Sequence, residues 1–337
     1  MKPPQAVRNN ERGVVIIWSA FFMIMMLGFV ALGIDVAKLM ATRTELQNAA
    51  DAAALAGASA LNLQTGKLRP DTALFRAQAT SARNKAFVQA GESVTLLASD
   101  VSVDVNQNLC TVTVRRDPTS DGSMVTHIAQ VLGITNLQVK ATATAKAERT
   151  CSQCEKLVPL GSYPPQGQQN FVVGQMYVLK QASPGGVNGN YQAVSFPECA
   201  EGPCAGMSST GANTYRCLLE NGYSCCITIG QTIQTQPGNM AGPTRTGVQN
   251  RWDSDTDRRT NINYPEYAGN GARVVNIPII TPMGNGRSDV TVTGLAAFFL
   301  HERPTGNGEI RGEFIHEVVP GTGGNCNSTV FTIRLVQ

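Results

Sequence analysis

The residues with types and spacing suited to chemistry are a Cys-x-x-Cys pair, three aspartates at alternate positions and two His-Glu dipeptides. Cys151-Ser152-Gln153-Cys154 has the spacing of a redox or zinc pair. A redox pair should open a helix after a strand, yet Glu155-Lys156-Leu157-Val158 runs straight into Pro159, which helix interiors do not tolerate. A structural zinc site needs a second matched pair. Four residues intervene between Cys199 and Cys204, and Cys225 and Cys226 are adjacent, so neither pair matches. Structural disulfides are the preferred chemistry for Cys151, Cys154, Cys199, Cys204, Cys217, Cys225, Cys226 and Cys326, with a metal site and then a redox pair as the alternatives. The total is nine, so at least one thiol stays unpaired within the chain, and Cys110 is the one cysteine before residue 150. A short Cys199–Cys204 bridge is one option, because spacing does not encode connectivity.

Asp253, Asp255 and Asp257 could converge on calcium, a hard cation. An EF-hand would then need Gly where Arg258 stands and Glu where Tyr264 stands. Arg251, Arg258 and Arg259 can neutralise the run equally well, so a solvated, ion-paired loop is the preferred reading. His301-Glu302 and His316-Glu317 begin like a zinc-protease motif, but Thr305 and Pro320 occupy the second-histidine positions. The third histidine is His127. The sequence has no glycine-framed serine elbow and no phosphate loop ending in Lys-Ser or Lys-Thr. Gly238–Thr244 reads as a tight-turn loop, since Pro243 lacks the N–H a phosphate cradle would use. The expectation is a chain with no catalytic set and no cofactor. A tethered hydrolase would need a polar pocket around His301 or His316.

The elements that position these residues begin with an uncharged run, Gly13-Val14 through Trp18 and Gly28 to Gly33-Ile34. At about 1.5 Å per residue it covers about 33 Å, enough for a bilayer core of about 30 Å. It is longer than the 7–15-residue core of a cleaved signal and continues into helix, so a retained single-pass anchor is expected. Lys2, Arg8 and Arg12 precede it and Lys38 and Arg43 follow, a slight bias toward a cytoplasmic tail and an exported remainder. Cysteine crowding beyond residue 150 agrees with an oxidising compartment. The net charge is +3, without a basic stripe and interleaved aromatics, so no nucleic-acid partner is expected.

Residues 35–61 are alanine-rich and free of proline, which predicts one helical stalk. Leu39, Leu46, Ala53 and Ala60 recur every seven residues, with Ala49 and Ala56 between them. That narrow seam can take either this chain's own second helix or a partner's helix. Pro70 to about Ala90 predicts a second helix, Ser93–Val105 and Leu109–Arg116 a hairpin, Met124–Leu132 a short helix and Leu137–Ala147 a third strand. Beyond Arg149–Cys154 helical patterns give way to short β runs at Phe171–Val173, Met176–Leu179, Cys226–Ile229, Arg273–Ile280, Val290–Val292, Leu295–Leu300 and Val330–Leu335. The predicted class is α+β: residues 1–61 as tail, anchor and stalk, 62–150 as a small pilin-like α+β domain, and 151–337 as a disulfide-rich all-β domain with long loops.

Arg12-Gly13, the apolar span, Gly33-Ile34-Asp35-Val36 and Leu46-Gln47-Asn48-Ala49-Ala50-Asp51-Ala52-Ala53-Ala54-Leu55-Ala56 resemble the N-terminal module of TadG-like and TadE-like Flp pilus-assembly proteins. Val131–Ile134, Gly189-Asn190-Tyr191, Pro237–Thr244 and Gly294–Leu300 are similar to stretches that often follow it. The resemblance implies a bacterial inner-membrane component of the tight-adherence pilus and secretion machinery. Asp35 and Asp51 occupy the module's acidic positions; physically, Asp35 suits a solvated place at the lipid–water border, and Asp51 lies one turn from Gln47. Pseudopilins carry glutamate five residues after the processed glycine, whereas Trp18 follows Gly13 at that distance, so an uncut Gly13 is expected. The expected function is a membrane-anchored, non-catalytic structural part of Flp/Tad assembly, partnered by lipid and by other Tad proteins through helix packing. The alternative is a tethered surface binding module or adhesin whose β domain grips an envelope or surface ligand.

Overall fold

The computed structural model describes residues 12–84, 93–120, 124–126, 130, 133–168, 170–180, 192–306 and 308–336. Helix α1 (Arg12–Ala58) is unbroken over 47 residues, about 70 Å at 1.5 Å per residue. Helix α2 (Pro70–Ser81) starts with proline at its first position and Asp71 in its first turn. It ends well before Ala90: Ala82 caps it, Asn84 Nδ2 donates to Thr80 O, and residues 85–92 lie outside the described residues.

The first strands are β1 (Val101–Asp104), β2 (Leu109–Arg116), β3 (Met124–Val125), β4 (Asn136–Leu137) and β5 (Val139–Gln153). β1 and β2 form the expected hairpin, with Val103 opposite Cys110, but the strand read from Ser93 starts only at Val101, after a 3-10 turn at Ala98–Asp100. The helix read at Met124–Leu132 is corrected at its start, where Met124-Val125 pairs antiparallel with Asn136-Leu137. Residues 127–129 and 131–132, and with them His127, lie outside the described residues. β5 alternates as read, with Val139, Ala141, Ala143, Ala145 and Ala147 buried on one face. It then continues to Gln153, so the compositional change at 149–154 falls inside a strand.

The remaining elements are β6 (Met176–Lys180), β7 (Val194–Ser195), α3 (Ala212–Asn221), β8 (Ile227–Thr228), β9 (Thr232–Thr235) and α4 (Ala241–Asp253). β10 (Val274–Ile280), β11 (Asp289–Leu300), β12 (Ile310–Ile315), β13 (Glu317–Val318), β14 (Gly321–Gly324) and β15 (Val330–Val336) complete the chain. One sheet runs β1-β2-β5-β15-β13, with β14 and β8 also on β5; the second runs β6-β12-β11-β9-β7, with β10 on β11. The C-terminal strand β15 lies antiparallel to β5, from Phe331 opposite Arg149 to Val336 opposite Thr144.

The all-β reading of residues 151–337 is therefore corrected to mixed α and β. Helix α4 begins where a loop was read, after Met240 turns the chain at φ 48°. Its buried residues Thr244, Gly247, Val248, Arg251 and Trp252 follow helical spacing, hidden in sequence by Gly and Pro. A Cβ on Gly247 would meet Arg216 O at 2.8 Å, so glycine lets α4 press against α3. Phe171–Val173 is not a strand, and Val290–Val292 with Leu295–Leu300 belongs to the single strand β11.

The inner face of β2 and β5 meets α1. Leu46, Ala49, Ala50, Ala53, Ala54 and Ala58 share a core with Cys110, Val112, Val114 and the β5 alanines. Ala60 is buried; Leu39 and Ala56 are half-buried. Most of the seam is thus covered by this chain's own sheet and by α2. Gly57 is a point of close approach, where a Cβ would collide with Cys110 Sγ. Overpacking a filled core costs about 1–3 kcal/mol. Ala53→Leu and Gly57→Val are each expected to lower stability by about that much, read as the midpoint of denaturant unfolding in detergent. Unchanged midpoints would mean that this contact is looser than described.

Candidate functional site

The site that the sequence singles out most strongly is the rod itself. From Val15 to Ile34 α1 is exposed at every position except half-buried Ala31: Trp18 is 57% and Phe29 68% exposed, and Gly28 and Gly33 have open space around them. Its most apolar window has a mean hydropathy of 2.5 and is wholly unburied. Gly13 and Val14 belong to the same helix.

Where the rod becomes the seat, Asp35 departs from expectation. It is only 3% exposed and polar-bonded, not solvated at a border. A buried carboxylate must find a partner, because desolvation without one costs several kcal/mol or neutralises it. Asp51 accepts a hydrogen bond from Gln47 Nε2 at 2.8 Å, and the same nitrogen reaches Thr142 O of β5 at 3.5 Å. This pair ties the stalk to the sheet.

The cysteines form no Cys-x-x-Cys pair. Cys151 near the end of β5 joins Cys326, and Cys154 just after it joins Cys226. Cys199 pairs with Cys225, not with nearby Cys204, which pairs with Cys217. Cys110 is free and buried; burial pushes its thiol up to about 11, so it is not a nucleophile at neutral pH.

The aspartates diverge as well. Asp253 takes a two-pronged contact from Arg303 at 2.8 and 3.0 Å, and Asp257 one from Arg259 at 2.7 and 2.9 Å. Asp255 accepts from Tyr267 Oη and from the N–H groups of Asp257 and Arg273. Among the described residues, no group of three or more His, Cys, Asp or Glu could hold a metal.

Sequence reading missed Arg273, the hub of this region. It is fully buried, its guanidinium 3.8 Å from the Trp252 ring centre and 4.6 Å from that of Phe299. It donates to the carbonyls of Asp257, Arg259, Leu300 and His301, which gathers the aspartate loop onto the end of β11. An arginine at the entry to an apolar strand was the available signal, since a buried cation requires such a set of acceptors.

Polar clefts do lie near two of the histidines. His301 is buried, its Nε2 3.3 Å from Glu313 Oε1. Glu313 forms the floor of a cleft of about 710 Å³ lined also by Arg69, Arg76, Tyr264 and Tyr267. Burial pushes the Glu313 carboxyl up, but contact with His301 and the Tyr264 N–H outweighs it and holds it below the usual range. His316 lines a second cleft of about 450 Å³; its Nδ1 is 3.1 Å from Thr329 O, and burial lowers its basicity. Among the described residues, the histidine contacts at these clefts go to a carboxylate and a backbone carbonyl, not to a hydroxyl or thiol.

A carboxyl held low when folded stabilises the fold above its unfolded value of about 4.3 and loses that contribution as pH falls through the lower folded value. Glu313→Gln should therefore flatten the loss of stability between about pH 5 and 3, measured as Tm against pH. Parallel curves for parent and variant would show that Glu313 carries none of it.

The Tad family model, described as Flp pilus-assembly TadE/G-like, matches residues 13–60, which are the bare rod and its seat. No curated protein and no solved structure matches the chain. Residues 13–60 are a TadE/G-like Flp pilus-assembly domain.

Proposed function

We propose that this chain is a membrane-anchored, non-catalytic structural component of Flp/Tad pilus assembly and secretion. Residues 13–34 cross the inner membrane, the tail stays cytoplasmic, and residues 62–150 and 151–337 lie outside the cytosol. The observation that carries this reading is one helix, bare and apolar for a bilayer's thickness, that becomes without a break the central element of a folded domain. Four disulfides beyond residue 150 support an oxidising setting. Contacts with other anchored proteins fall to the rod, because the seam from Leu46 to Ala60 is occupied within the chain.

In a TadE/G-bearing cell, the chain should stay in the membrane pellet after carbonate washing, and a C-terminal alkaline phosphatase fusion should be active. Release by carbonate, or an active cytosolic reporter at the tail, would overturn the topology. A photo-crosslinker at Phe22 should capture other membrane proteins of the machinery and one at Ala53 only this chain; the reverse pattern would move the partner surface to the stalk.

A further inference from the structure

The cleft beside His316 carries a charge pattern that the anchoring role does not use. Lys67, Lys146, Arg149 and Arg334 line it, and Glu148 is the one carboxylate among its lining residues. The excess of cations there is as large as the net charge of the whole chain, +3. Glu148 serves two of them at once: Lys146 Nζ is 3.0 Å from one oxygen, and Arg334 donates to both at 2.9 and 3.1 Å. Those bonds hold the Glu148 carboxyl below its usual range, with the Arg334 contact foremost, so it stays ionised and keeps Lys146 and Arg334 side by side. Lys67 Nζ donates to a neutral carbonyl, Asn106 O, at 3.0 Å. Arg149 is exposed and has no carboxylate partner among the described residues.

A concave wall focuses the field of such a cluster and raises the local concentration of anions. Arginine forks and lysine point charges are the groups that recognise phosphate oxygens. A phosphate monoester carries a charge of about −1.5 to −2 at neutral pH, a closer match to this excess than a single carboxylate. We propose that this cleft, walled by Lys67, Lys146, Arg149 and Arg334, binds a phosphate-bearing anion.

Geometry limits the source. From Ile34 to Ala58 the helix rises about 36 Å, and Thr65, Gly66 and Lys67 lie past its end. Headgroups of the anchoring bilayer are therefore out of reach, and the anion comes free in solution or from a different surface. The charge chemistry of the cleft does not depend on the anchor; only this distance does.

The test uses the full-length chain in phosphatidylcholine nanodiscs, titrated calorimetrically with sodium tripolyphosphate at fixed ionic strength. A parallel arm adds free vesicles containing phosphatidic acid. Saturable binding of one equivalent is expected, and Arg149→Glu should weaken it at least tenfold. Lys67→Gln, an exposed change outside the sheet, should weaken it severalfold and guards against a folding defect in the first variant. Lys140→Glu makes the same charge change on the same strand, about 30 Å away at 3.3 Å per residue, and should alter affinity less than twofold. Capture of the vesicles with the same variant pattern assigns the phosphate to a surface, and binding of tripolyphosphate alone assigns it to solution; both support the site. Failure of both probes to bind, or equal losses from Arg149→Glu and Lys140→Glu, would overturn it.

Discussion

The contact on which the molecule depends is between the alanine face of the stalk and the inner face of β2 and β5. Both sides are built from small groups: Ala49, Ala50, Ala53, Ala54 and Gly57 on the helix, Ala141, Ala143, Ala145 and Cys110 on the sheet. Each alanine buries little area, so no single residue dominates through hydrophobic transfer. What the small side chains provide is proximity, and with it many dispersion contacts at near-optimal distance. That arrangement tolerates enlargement poorly, because a few tenths of an ångström must be taken from backbone. It also fixes the rod's direction relative to the sheet.

A second constraint closes the chain on itself. The tail strand β15 lies along β5, and the Cys151–Cys326 bridge, spanning 175 residues, fastens the same neighbourhood covalently. Long loops are where a cross-link removes most freedom from the unfolded chain in the entropic account. The other bridges act locally: Cys154–Cys226 ties the end of β5 to the start of β8, while Cys199–Cys225 and Cys204–Cys217 fasten the loop that leads into α3. Arg273 does without a bond what these do with one, drawing carbonyls of the aspartate loop and of β11 onto a single guanidinium.

Legibility in the sequence followed the strength of local periodicity. The apolar rod, the alanine-rich stalk and the alternation of Val139 to Ala147 were readable because each repeats one residue type at one period. Helix α3 was hidden by its setting among cysteines and glycines, and α4 because Pro243 and Gly247 mask a buried stripe of Thr244, Val248, Arg251 and Trp252. The pairing of β15 with β5 could not be read at all: nothing in a strand's own residues names a partner so far away in sequence. The reading of Asp35 as solvated failed for a related reason, since burial there is decided by what the rest of the chain places against it. Cys199 and Cys204 illustrate the limit for disulfides, where proximity in sequence pointed to a pair that the fold does not make.

The seat and the closure together hold the far end of the long helix. α1 has no break between the bare rod and its buried half, and its far end is clamped on two sides. The turn after it is held by Asn108, whose side chain bonds Leu68 N and Gly66 O, and by the His316 N–H reaching Leu63 O. Asn108 belongs to the first hairpin, and His316 lies between β12 of the second sheet and β13 of the first. The helix thus joins the bare rod to a turn held by both sheets, with no interruption at Gly33 or Asp35. Gly66 of that turn and His316, which holds it, also line the cation-rich cleft, so the far end of the rod and the cleft share one wall.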